Sequence, residues 1–230
     1  MNIERLSLEA GVSKARGVIV VIDVFRAFTC EPLMYHLGAR RVFLEADINR
    51  CRETRGDALL VGEHNELPLD GFDFTNSPSH IMHAGSAVFG GRDVIHRTTS
   101  GVSGAVTALG RSDTVLLASY ATAHMTAAFI RALDPPQVSI VAMGIRSQAS
   151  APEDESCGDY IEHLLTGTPY DHLAALDTIL SHETARKFLR GDKPHLPAAD
   201  PAICLQRDIF PFTLRAERRD DRIEAVRVTP

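Results

Sequence analysis

An acid and a base stand where an apolar strand stops. The run Val18-Ile19-Val20-Val21-Ile22 passes straight into Asp23-Val24-Phe25-Arg26-Ala27. Five β-branched residues in a row read as a strand buried on both faces. A charge left without a partner at its end is costly, so Asp23 and Arg26 each need a partner or a ligand. Ligands of open α/β sheets bind outside the carboxyl ends of the strands. Two readings follow: a site that handles charge, or an internal Asp23–Arg26 pair that closes the strand.

Three further polar segments follow predicted strands. The first runs Gly62-Glu63-His64-Asn65-Glu66 and leads into Gly71-Phe72-Asp73-Phe74-Thr75-Asn76-Ser77-Pro78. The next is Arg97-Thr98-Thr99-Ser100-Gly101-Val102-Ser103-Gly104. The last is Met143-Gly144-Ile145-Arg146, followed by Ala151-Pro152-Glu153-Asp154-Glu155-Ser156-Cys157-Gly158. In a doubly wound sheet all of these loops can meet on one edge.

The segment from Thr98 to Gly104 has the makings of an anion cradle. Hydroxyls and glycines precede a helix, so free backbone N–H groups and the helix dipole converge. Thr98, Thr99, Ser100 and Gly101 are the candidate binding positions, and Arg97 adds a fork for phosphate or sulfonate. The plainer reading is helix capping by Ser100 or Ser103. No Lys follows, so this is not a Walker A loop, and the third glycine of a dinucleotide fingerprint is missing.

Glu153, Asp154 and Glu155 open a helix, where the macrodipole favours acids. Three adjacent acids also repel, and a divalent cation relieves that. Carboxylates with few thiolates or imidazoles point to Mg2+. Asp23, Glu63, Asp73, Glu153 and Asp154 form the candidate metal set. Ser77 is a good N-cap with Pro78 at the first helical position, which lets the preceding Asn76 face the site. His80 and His83 share a face of that helix but lack a third ligand, so they read as ordinary surface or core histidines. Cys157 sits where the dipole favours a thiolate and the neighbouring acids oppose one; it reads as a packed cysteine.

The elements that must position these residues alternate in type. Strands are predicted over 18–23, 41–44, 58–61, 93–97, 114–118 and 138–142. Helices are predicted over 29–37, 48–55, 78–84, 102–109, 121–133 and 153–165, with a helical stretch over 173–189. The segments 210–214 and 222–228 form a terminal hairpin around Arg219-Asp220-Asp221. This alternation predicts an α/β fold with a largely parallel or mixed sheet. The 230 residues suit one domain, with room for two similar lobes at 1–95 and 96–230.

Composition narrows the function classes. Hydrophobic content of 44% and charged content of 23% are those of a globular protein. A net charge of −6 with no basic run speaks against nucleic acid as a partner. No apolar run is long enough for a membrane span, and the first seventeen residues lack the apolar core of a signal peptide. Cys30, Cys51, Cys157 and Cys204 are scattered without C-x-x-C, which fits a reducing, cytoplasmic setting. A homodimer is compatible with this composition.

Together, the polar segments resemble the 2-phosphosulfolactate phosphatase (ComB-like) family. The matching positions are Asp23-Val24-Phe25-Arg26-Ala27, Gly62-Glu63, Gly71-Phe72-Asp73, Asn76-Ser77-Pro78, Thr98-Thr99 with Gly101, and Glu153-Asp154. The resemblance runs from about Val18 to the tail. It implies a three-layer α/β/α fold and a Mg2+-dependent hydrolase of coenzyme M biosynthesis. The implied substrate is a small anionic phosphorylated 2-hydroxy acid, cleaved to sulfolactate and phosphate. In that frame Asp23, Arg26 and Glu153 are the catalytic candidates. Arg26 and Arg97 would hold phosphate or sulfonate, and Asp23 would either orient the attacking water or act as nucleophile.

The chain departs from the family pattern at several loop positions. His64 replaces an Arg, Thr75 a Gly, Ser100 an Asn, Val102 a Thr and Thr122 an Asn. A catalytically silent relative that binds an anionic metabolite is therefore the alternative. A haloacid-dehalogenase-type phosphatase would need a second acid where Phe25 stands, and no G-x-S-x-G elbow marks a serine hydrolase.

Overall fold

Parallel strands and intervening helices make up most of the chain in the computed structural model, which describes residues 1–230. The strands are β1 (Asn2–Ser7), β2 (Val18–Ile22), β3 (Arg41–Leu44), β4 (Leu59–His64), β5 (Leu67–Pro68), β6 (Asp93–Arg97), β7 (Val115–Ala118), β8 (Gln137–Ala142), β9 (Thr213–Arg219) and β10 (Arg222–Val228). The helices are α1 (Leu8–Val12), α2 (Ala27–His36), α3 (Ile48–Glu53), α4 (Pro78–Ala84), α5 (Ser86–Phe89), α6 (Gly101–Ala108), α7 (Ala123–Leu133), α8 (Pro152–Thr166), α9 (His172–Ser181), α10 (Glu183–Leu189) and α11 (Asp200–Cys204). No helix is long and apolar enough to cross a membrane.

All ten strands join one sheet in the order β1-β8-β2-β7-β9-β10-β3-β6-β4-β5. β1, β8, β2 and β7 run parallel, as do β3, β6 and β4. The β9–β10 hairpin is antiparallel to its neighbours β7 and β3 and bridges the two parallel blocks. The sheet is therefore mixed and continuous. A division at 95/96 would fall inside β6, and the two blocks interleave along the chain.

Alternation along the strands sends side chains into two layers. Ile19 and Val21 face the core that holds α2 and α6, while Val18, Val20 and Ile22 face the core against α7 and α8. Phe43, Leu60 and Ile95 pack with Cys51 of α3 on the outer face of the other block. Both faces of the sheet are thus covered, giving the three-layer α/β/α arrangement.

The sheet cannot be flat. β2 and β6 lie five places apart in the strand order. At about 4.8 Å per strand they would stand roughly 24 Å apart. Yet a Cβ built on Gly101, just beyond β6, would lie 2.7 Å from Asp23 Oδ2, just beyond β2. The sheet curls around α2 and α6 and brings its two blocks together at their carboxyl ends. Helix α2 shows this in its burial: every residue from Ala27 to Tyr35 is buried. A helix apolar on all sides is a helix wrapped on all sides.

The short elements α1, β5, α5 and α11 lie outside the sequence expectations, and three further differences have identifiable reasons. The first hairpin arm starts at Thr213 rather than 210, because Pro211 has no N–H to give a ladder. The stretch 173–189 splits at His182, whose backbone is extended and whose Nδ1 accepts from the Thr184 N–H at 3.3 Å. The edge strand β1, absent from the sequence expectation, has only Ile3 and Leu6 as apolar residues and forms by pairing in parallel with β8. Leu8 turns abruptly into α1 with φ of 66°.

Candidate active site

One cleft, where the curled sheet brings together the carboxyl ends of its two oppositely running parallel blocks, collects residues from all four polar segments. It is lined by Asp23, Phe25 and Arg26 after β2, Glu63 and Glu66 at the end of β4, and Asn76 before α4. Thr99 and Ser100 before α6, Gly144 to Arg146 after β8, Glu153 and Asp154 of α8, and Lys187 and Phe188 of α10 complete it.

Asp23 is buried at the strand end, where its Oδ1 accepts from the Ala27 N–H at 3.2 Å. Burial raises its carboxyl to about 6, and the Glu63 charge adds to this, while the Ala27 amide opposes both. Asp154 ties two loops together. Its Oδ1 accepts from the Val24 N–H at 2.7 Å and its Oδ2 from the Gly144 N–H at 2.8 Å. Burial pushes this carboxyl well up, and the charges of Asp23 and Glu153 push the same way. Glu153 Oε2 accepts from the Thr184 hydroxyl at 2.8 Å, and burial raises its carboxyl to about 7. Three buried acids thus stand within reach of one another's fields.

The cations of the cleft are engaged elsewhere. Arg26 Nη1 pairs with Asp200 Oδ2 at 2.9 Å and donates to the His195 carbonyl at 2.9 Å. The internal Asp23–Arg26 pair does not form; the partner of Arg26 comes from α11. Asp200 Oδ1 in turn accepts from the hydroxyls of Ser77 and Ser79. The Arg26 guanidinium also lies 5.2 Å from the centre of the Phe188 ring. Arg146 and Lys187 both pair with Glu66. Asp23, Glu153 and Asp154 have no basic partner.

Beneath Asn76 lies a buried polar pair that sequence reading missed. His96 Nδ1 lies 2.8 Å from Glu31 Oε1, and His96 Nε2 lies 3.0 Å from Asn76 Oδ1. Glu31 and His96 are fully buried, and burial raises the Glu31 carboxyl. The ring fixes one end of the Asn76 amide and leaves the other end to the cleft. The available signal was local: one acid inside the apolar run 27–35, and one His inside a buried strand.

Several candidate residues take other roles. Asp73 lies outside the cleft. It is chelated by Arg55 at 2.8 and 2.9 Å and accepts from the Leu60 N–H, so it is removed from the metal set. Arg97 is also outside. Its guanidinium donates to the carbonyls of Glu63 and Ala46 and braces the loops from behind, so it offers no fork to an anion. The first turn of α6 is held from Thr98, whose hydroxyl accepts from the Val102 N–H at 3.0 Å, while the N-cap residue is Ser100. The Ser100 side chain makes no capping hydrogen bond, and it lines the cleft instead. Glu63 binds the loops: Oε1 accepts from the Thr99 N–H at 2.6 Å and Oε2 from the Glu66 N–H at 2.5 Å. Cys157 is buried and its thiol is pushed well up by burial, which rules out a ready thiolate. His80 and His83 are exposed.

Gly62 makes the Glu63 contact possible. Its φ is +155°, and a Cβ there would lie 2.1 Å from the Arg97 carbonyl oxygen. Gly62→Ala should cost at least about 2 kcal/mol by forcing β4 away from β6. A lowered denaturant midpoint at unchanged m-value checks this.

A larger groove of about 510 Å3 lies at the opposite, amino edge of the strands. Its arginines are matched by acids, as Arg40 and Arg41 are by Asp93, and it lacks a clustered acid set.

Comparison with known proteins agrees with this geometry. Residues 6–213 match the family model described as 2-phosphosulpholactate phosphatase. The chain is 28% identical over 205 residues to a protein named "Probable 2-phosphosulfolactate phosphatase" from Bacillus subtilis (strain 168), covering 86% of each. A protein of the same name from Deinococcus radiodurans is 34% identical over 151 residues, 64% of this chain and 62% of that one. Another, from Thermoplasma acidophilum, is 27% identical over 192 residues, 82% of this chain and 81% of that one. With a match across nearly its whole length, and with most of the matched motifs gathered around one cleft, the chain belongs to the 2-phosphosulpholactate phosphatase family.

Proposed function

We propose that the protein is a Mg2+-dependent phosphatase that hydrolyses a phosphomonoester of a small anionic 2-hydroxy acid, such as 2-phosphosulfolactate. The observation that carries this reading is the set of three buried acids, Asp23, Glu153 and Asp154, beside cations committed to other partners. Buried like charges without counter-ions call for a cation. The set fits Mg2+ in kind, being all carboxylate with no thiolate or imidazole among the three. No group of three or more His, Cys, Asp or Glu side chains is arranged to hold a metal ion by itself, so Mg2+ here would need waters and substrate phosphate oxygens to complete its shell.

Asp23 and Asp154 would hold the ion, with Glu63 beside them. Bound there, it would neutralise charge on the phosphoryl oxygens. The chain's own residues do the rest. Asn76 and those N–H groups of Arg26 that Asp200 and the His195 carbonyl leave free line the cleft and can donate to the phosphoryl group. Asp23 orients the attacking water or attacks directly. Glu153, whose carboxyl burial raises above the ordinary range, can deliver a proton to the leaving 2-hydroxyl oxygen.

Phosphate release from 2-phosphosulfolactate, measured with and without metal, tests this. Release should fall about a hundredfold or more in EDTA and return with excess Mg2+. Metal-independent release would overturn the cation assignment. Failure to release phosphate from any phosphorylated 2-hydroxy acid would favour the silent-relative reading.

A further inference from the structure

Two strained turns face each other across the mouth of the cleft. Asn65 and Glu66, between β4 and β5, have φ of 51° and 71°. This is a two-residue hairpin turn with both central residues left-handed, where Gly is strongly preferred at the second position. Arg146 and Ser147, in the loop after β8, have φ of 52° and 57°. Each such residue costs conformational energy, and such costs cluster at functional sites. Here both turns hold a charged side chain over the same opening.

The charges meet at Glu66. Arg146 Nη2 reaches Glu66 Oε2 at 3.2 Å, and Lys187 Nζ pairs with Glu66 Oε1. One carboxylate therefore occupies two cations that come from separate elements. The cleft behind it has a free volume of only about 40 Å3. That is room for only about two or three waters, so a phosphorylated acid enters only if side chains at the mouth move. The Phe188 ring lies 5.4 Å from Lys187 and 5.2 Å from Arg26, so the two cations are fixed relative to each other.

We propose that Lys187 and Arg146 receive the acid group of the substrate that is not the phosphate, and that Glu66 occupies them until it arrives. This rests on the phosphatase reading for the identity of the substrate. Glu66 is then a built-in competitor that selects for ligands with a second strong anion. A simple phosphomonoester cannot displace it, whereas a sulfonate or carboxylate held near the phosphate can. The effect on specificity is repulsive as well as attractive.

The test compares 2-phosphosulfolactate with phenyl phosphate, which has no second acid. Glu66→Gln should lower KM for 2-phosphosulfolactate about fivefold relative to KM for phenyl phosphate. Lys187→Met and Arg146→Met should shift that ratio the other way by about tenfold for Lys187, the less exposed cation, and by less for Arg146. Parallel changes for both substrates would overturn the proposal. Calorimetry with sulfolactate, which needs no turnover, separates the two levels. If no ester is hydrolysed but Glu66→Gln tightens sulfolactate and Lys187→Met weakens it, the subsite stands and the phosphatase reading falls. If esters are hydrolysed but sulfolactate binds all variants equally, the subsite falls and the phosphatase reading stands.

Discussion

Asp23→Asn is expected to remove at least about 99% of phosphate release while leaving the fold as stable as before, or more so. The size of the loss distinguishes two roles. A carboxylate that only orients water contributes about 10^2 to 10^4 in rate. Removal of a nucleophile costs on the order of 10^6. Single-turnover assays over that range therefore assign the role that strand position alone leaves open. The stability side follows from burial. Asp23 titrates near 6 in the folded chain, above the ordinary carboxylate range, because it is desolvated and faces Glu63. A raised carboxyl contributes stability below its unfolded pKa, and that contribution is lost as pH rises through the folded value. At pH 8 without metal, ionised Asp23 therefore works against folding. Asparagine removes that charge, so the melting temperature at pH 8 in EDTA should hold or rise. A fall of several degrees together with the activity loss would mean that Asp23 is chiefly a structural partner. Activity bought with buried repulsion is a common trade-off in enzymes.

His96→Leu is expected to be the most destabilising substitution near the cleft. It leaves Glu31 fully buried without the only side-chain partner it has, and Glu31 Oε2 already lacks one. Breaking a buried pair from one side costs about 3–5 kcal/mol. For a chain of this size that lowers the melting temperature by roughly 10 °C. The double variant Glu31→Leu, His96→Leu should recover much of the loss, because no orphaned charge remains. It should not recover turnover, because the Asn76 amide loses the ring that orients it. Recovery of both stability and turnover would show that Asn76 needs no such support.

The scaffold was largely legible in the sequence. Runs such as Val18 to Ile22 and the alternation with helices identify strands, because side-chain periodicity and β-branching act over a few residues. Within each parallel block the carboxyl ends point the same way, which groups its own polar loops. The two blocks run antiparallel to each other across the β9–β10 hairpin, so only the curl of the sheet brings the two groups together. Family motifs carried this further, since Asp23, Asn76, Thr99, Ser100, Glu153 and Asp154 do line one cleft. Arg97 and Asp73 looked equally apt by type and spacing. Their carbonyl and Arg55 partners, supplied by neighbouring loops, turned both into braces.

What the sequence determined by itself, then, is local: which segments are strands, which loops follow them, and which loops carry acids. Only tertiary structure decided which charges meet. Arg26 finds Asp200 across 174 positions, and Glu66 finds Lys187 across 121. The reason is physical. Whether a charge is costly, paired or free depends on what is desolvated beside it. Here the curl of one ten-stranded sheet around α2 and α6 sets that, and no short window of sequence encodes it.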